Sequence, residues 1–128
     1  MKALLLMCSI LPLALAASAK DLDCSIHVKK KLDMREYEAM AKVAPEQARK
    51  IALEKVAAEG SKIAHGGLEV EDGCLVYAYD IQVPGRKGFE EIIVDAGTGT
   101  VIKTEHESAA REKLEKTLDP KKNLNKAP

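Results

Sequence analysis

Tryptophan is absent from this chain of 128 residues, phenylalanine occurs once and tyrosine three times. Tyr37, Tyr77, Tyr79 and Phe89 are too few and too scattered to form a platform on which nucleobases stack. An excess of charge of either sign is missing too. Twenty Lys and Arg balance twenty Asp and Glu, which excludes nucleic-acid binding driven by counterion release. The length leaves room for one ordinary domain. Histidine occurs at positions 27, 65 and 106 without H-x-H or H-x-x-x-H spacing. Zinc sites gather closely spaced ligands, so no metal ligand set and no cofactor is expected.

Long apolar runs are equally scarce, and the one present lies at the amino end. Lys2 is the only charge before residue 20, and the stretch from Ala3 to Ala17 is interrupted only by Ser9 and Pro12. It ends in Ala17-Ser18-Ala19, the small-x-small pattern of a secretory signal, so residues 1–19 are expected to be removed between Ala19 and Lys20. The run is too short for a spanning helix, which needs about 20 apolar residues. No stable membrane anchor is expected after cleavage. Acidic Asp21 and Asp23 before Cys24 do not fit a lipid-attachment box. The short apolar run and small cleavage site point to a bacterial periplasm, with secretion as the alternative.

Removing the signal takes Cys8 away and leaves Cys24 and Cys74. An even count in an exported protein points to a disulfide. Two independent thiols, or pairing with another chain, are the competing readings. A bridge would close a loop of about 50 residues, worth about 4 kcal/mol in the chain-entropy model.

Residues 20–44 read as an amino-terminal extension. Its first part is polar and without period, and Asp33 with Glu36 then forms a capping-box pattern. Tyr37, Met40 and Ala41 share one face at helical spacing, which predicts a short helix. A longer helix is predicted over 45–59: Pro45 suits its first turn, Ala48, Ile51, Ala52 and Val56 make the apolar stripe, and Gly60 is the expected stop. The period then changes to two. Leu68 to Glu71 alternates and Asp72-Gly73 is a hairpin turn. Leu75, Tyr77, Tyr79, Ile81 and Val83 share a face of the second strand, and Pro84 to Gly88 turns the chain again. Phe89 to Asp95 is the third strand, with Ile92 and Val94 on one face. Val101 to Glu107 is the fourth. Short hairpins make the sheet antiparallel. The expected fold is α+β: one main helix on a small antiparallel four-stranded sheet, with a short carboxy-terminal helix from Ser108. The remainder of 108–128 has little to bury and is expected to be disordered.

The alanine-rich segment Ala48-Arg49-Lys50-Ile51-Ala52, the hairpin around Asp72-Gly73 with Tyr77 after it, and Ile93-Val94-Asp95-Ala96-Gly97-Thr98-Gly99-Thr100-Val101 follow one another in an order that resembles the PepSY domain. That family is named for peptidase propeptides and a spore-germination protein. The resemblance covers residues 45–107. Its most specific piece is similar to the family's V-D-A-x-T-G-x-V hairpin. Asp95 can accept backbone N–H groups across this turn and the glycines can supply positive φ. Asp95, Gly97, Thr98 and Gly99 are therefore read as a fold-signature turn, with no catalytic role. The resemblance implies a non-catalytic extracytoplasmic module. Its relatives in thermolysin-type propeptides are thought to assist folding and restrain the enzyme. In this chain no peptidase is expected to follow the module.

Sequence contexts that would support catalysis are scarce. Ser25, Ser61 and Ser108 lack a nucleophile-elbow context, and Cys24 has only His27 near it in sequence. Gly97-x-Gly99 lies between strands, which is wrong for a phosphate loop. The expected function is a non-enzymatic binding or regulatory module acting on another envelope or secreted protein, a peptidase among the candidates. The second reading is a small metal or cofactor carrier using His27, His65 and His106.

Overall fold

The computed structural model describes residues 21–108 together with Ala110, Lys113 and Leu114. The expected signal segment, its expected Ala19–Lys20 cleavage point and the tail lie outside the described residues, as does most of the helix expected from Ser108. Two helices, α1 (Met34–Met40) and α2 (Pro45–Val56), precede four strands: β1 (Lys62–Glu71), β2 (Cys74–Gln82), β3 (Phe89–Asp95) and β4 (Val101–Glu107). The strands form one antiparallel sheet in the order β1-β2-β3-β4. This is an α+β fold.

The capping box starts α1. Asp33 accepts the Glu36 N–H at 3.0 Å, and Glu36 accepts the Asp33 N–H at 3.0 Å, which satisfies two of the orphan donors at the helix start. Pro45 opens α2. Ala48 and Ala52 are fully buried against the sheet, and their small side chains let the helix axis come close to it. Leu75, Tyr77, Tyr79 and Ile81 of β2 meet them from below, with Ile92 and Val94 of β3.

Two boundaries differ from the sequence reading. Helix α2 closes at Val56, three residues before the expected end, because Ala57 takes the left-handed conformation (φ 52°) and donates its N–H to Leu53 at 3.1 Å. The apolar stripe also ends at Val56, so nothing holds a further turn to the sheet. Strand β1 begins at Lys62, ahead of the alternation at Leu68. Its first half carries a register shift between Ile63 and His65 and the pair Gly66-Gly67, which hide the period. Gly66 has φ 124°, and a Cβ there would collide with the Ala78 carbonyl of β2.

The second face of the sheet is also covered in part. Cys74, Val76 and Ala78 of β2 and Ile93 of β3 pack there with Cys24, Leu22 and Ile102. Residues 21–28 therefore form a strap. Leu75 donates its N–H to Ile26 at 2.9 Å, Val28 donates to Gly73 at 2.8 Å, and His27 forms an isolated antiparallel bridge with Cys74. The polar extension read from sequence is built into the sheet end.

Candidate functional site

Four arrangements on this frame carry polar chemistry. The first is the turn after β3. Asp95 is 3% exposed and its carboxylate accepts the Ser25 N–H at 2.7 Å, the Ser25 hydroxyl at 2.6 Å and the Gly97 N–H at 2.7 Å. Burial alone would raise this carboxyl, but the hydrogen bonds from Ser25, Gly97 and Thr98 outweigh it and hold Asp95 below its ordinary value. An anion so fully occupied is poorly placed to take a proton. The turn glycines divide the work expected of both. Gly99 has φ 77°, whereas Gly97 lacks positive φ and is small because the Ser25 hydroxyl lies where its Cβ would be.

The second arrangement is the disulfide between Cys24 and Cys74, with Cα atoms 5.9 Å apart. It ties the strap to the start of β2. The exposed His27 holds its Nδ1 3.7 Å from Cys24 Sγ. Both sulfurs are bonded to each other, so neither is a free nucleophile.

The third is a cleft of ≈ 510 Å³ between α1, the start of α2 and the β1–β2 hairpin. Met34, Leu68, Tyr77 and Tyr79 give it apolar walls, and Glu38, Lys42 and Arg49 supply charge. Its floor is fixed. Tyr77 donates its hydroxyl to the Val43 carbonyl at 2.7 Å, and Tyr79 donates its hydroxyl to the Pro45 carbonyl at 3.4 Å. Burial raises the Tyr79 phenol while Arg49 opposes the rise. Both tyrosines are neutral donors at physiological pH.

The fourth lies on the sheet face away from the helices. Lys103 of β4 approaches Glu71 at 3.7 Å, Glu91 at 3.6 Å and Glu105 at 3.1 Å. Burial lifts the Glu91 carboxyl to about 7, with Lys103 pulling it down and Glu71, Glu107 and Asp80 pushing it up. Nothing in the sequence pattern singles out Glu91, because its environment is assembled from all four strands.

The histidines are not brought together. His27 sits beside the disulfide, His65 is 3.6 Å from Asp80 and tilts on the Phe89 ring, and His106 contacts Glu90 at 2.9 Å. Among the described residues the one group of three metal-type side chains is Cys24, His27 and Cys74. The carrier reading needed His27, His65 and His106 on one site, and the sheet spreads them over separate places.

A family model described as peptidase propeptide and YPEB domain, PepSY, matches residues 42–105, half of the sequence. The chain belongs to the PepSY family. No curated protein and no solved structure matches it. The PepSY match takes in α2, the four strands nearly to the end of β4 and the Asp95 turn. It leaves out α1 and the strap. Cys24, Ser25 and His27 are thus additions around a PepSY core, and one partner of both the disulfide and the Asp95 cluster comes from outside the matched region. No helix among the described residues is long and apolar enough to cross a membrane.

Proposed function

We propose that this chain is an exported, non-catalytic PepSY module that binds another envelope or secreted protein, and that its cleft beside α2 receives an extended segment of that partner. A peptidase that the module restrains or helps to fold is the first candidate. The periplasm, after cleavage between Ala19 and Lys20, is the proposed place of action. Membership in a family of propeptide-type domains supports a protein partner. The observation that carries the reading is the cleft itself: apolar walls on two tyrosines held by hydrogen bonds, open beside the edge strand β1. Lys42 and Arg49 against the single Glu38 favour a segment with a carboxylate next to apolar side chains. The signal sequence and disulfide fit an oxidising compartment.

The test is affinity capture from envelope extract with the mature chain as bait, followed by competition with the unlabelled protein. Retrieval of one protein whose binding is lost on substitution in the cleft is expected. Peptidase activity is then measured with and without the module. Capture insensitive to every cleft substitution would overturn the assignment of the site.

A further inference from the structure

The residues around the disulfide suit a second chemical state. We infer that when the Cys24–Cys74 bond is reduced, Cys24, His27 and Cys74 bind one thiophilic divalent cation of the zinc class. The ligand atoms, Cys24 Sγ, His27 Nδ1 and Cys74 Sγ, lie within 4.8 Å of one another. After reduction the two sulfurs must separate to about 3.8 Å to share a tetrahedral ion with Zn–S bonds of about 2.3 Å, a movement that side-chain rotation on Cα atoms 5.9 Å apart allows. Two thiolates and an imidazole form a soft donor set that prefers zinc to calcium or magnesium. His27 is placed independently of the disulfide, since the strap's backbone bonds to Gly73 and Leu75 fix its position in the β-bridge. Access is also present. His27 is exposed, and a shallow depression lined by Asp23, Ser25, Asp95, Thr98, Thr100 and Ile102 reaches Cys24.

The chemistry balances with a dithiol as reductant. The dithiol gives two electrons and two protons to the S–S bond, leaving two cysteine thiols and an oxidised dithiol. The cation then displaces both thiol protons and forms two metal–sulfur bonds, while neutral His27 supplies a lone pair from Nδ1 without losing a proton. Water completes four-coordination. Oxidation by a thiol oxidant reverses the sequence and expels the ion. The oxidised and metal-bound forms would both tie the strap to β2, so the fold is held in either redox condition.

The experiment uses the full chain carrying Cys8→Ser in every sample, so that the signal thiol cannot contribute. Reduced protein is titrated with Co²⁺ and followed by its thiolate charge-transfer absorption, then back-titrated with Zn²⁺. One equivalent is expected, with none taken up by the oxidised protein. His27→Ala is expected to weaken uptake by about tenfold or more, since even losing an outer-shell partner costs that much, while disulfide formation by intact mass stays unchanged. Thermal unfolding of the reduced chain with and without Zn²⁺ covers the case in which reduction loosens the fold: an upward shift supports the site. The proposal is overturned by a reduced chain that gains neither absorption nor thermal stability, or by equal uptake in the oxidised or His27→Ala protein.

Discussion

Ser25 reaches seventy residues along the chain to Asp95 and donates to it twice, through its backbone N–H at 2.7 Å and its hydroxyl at 2.6 Å. Removing the hydroxyl with Ser25→Ala leaves one carboxylate oxygen with less than its complement of donors. A hydrogen bond to a charged group contributes about 1.5–3 kcal/mol, and the urea midpoint should fall accordingly. Asp95→Ala should cost more, because it strands the Ser25 hydroxyl and the Gly97 N–H together. The Asp95 carboxyl is held below its ordinary value. Its contribution is therefore present above the unfolded-state pKa and is lost as pH falls through the lower folded one.

The disulfide spans a sequence separation of 50. Replacing both cysteines with alanine should destabilise the domain by about 4 kcal/mol in the chain-entropy model. Chemical denaturation of the oxidised protein and of the double variant measures the difference. The secondary structure should survive, since the PepSY core has its own apolar layer on the helix side.

Glu91 predicts an inverse pH profile. Its folded pKa is raised to about 7 from 4.5, so the folded state holds the proton more tightly than the unfolded chain does. Stability should decline as pH rises from about 4.5 through 7, and the loss should be complete above that window. Glu91→Gln keeps the shape without the ionisation. Its Tm should exceed that of the parent at pH 8, and the slope between pH 5 and 7 should flatten; an unchanged slope would show that Glu91 titrates normally.

Gly66→Ala tests the closeness of β1 to β2. The new methyl would meet the Ala78 carbonyl, at a φ of 124° that L-residues rarely adopt. Backbone strain of this kind costs about 1–3 kcal/mol, and the clash adds to it. Gly67→Ala, with open space around its Cβ position, is the matched control and should be close to neutral by thermal melting.

Arg49→Glu reverses the charge at the cleft. Arg49 is exposed, and surface substitutions usually change stability by no more than about 0.5 kcal/mol, so the fold should be little affected. Binding of a carboxylate-bearing partner segment should weaken and become less sensitive to salt. Surface plasmon resonance against the captured partner at two ionic strengths reads both effects.

Much of this molecule follows from local pattern. Asp33 with Glu36, Pro45, and the turn at Asp72-Gly73 each do locally what their spacing predicts, and the alternating apolar residues of β2 and β3 face α2. Less of the site was legible. Residues 21–28 have no period because they make only a few ladder contacts, and their role depends on Asp95 and Cys74 far along the chain. The early start of β1 is hidden by a bulge and two glycines. The second buried face of β2 is invisible to a two-residue period, because Cys74, Val76 and Ala78 fill what a one-sided strand would leave polar. Likewise His27 becomes a neighbour of Cys74 only once the strap is laid down.

The strap also sets an order of events. A ribosome delivers residues 21–28 first, yet Ser25 has no partner until Asp95 has been made. The segment 42–43 likewise waits, because Lys42 and Val43 both donate their N–H groups to the Ala96 carbonyl at 2.9 and 3.0 Å. Both ties converge on the turn between β3 and β4. A nascent chain halted before that turn could lay its strap against Gly73, Cys74 and Leu75, but Ser25 and the 42–43 segment would have nothing to fasten to.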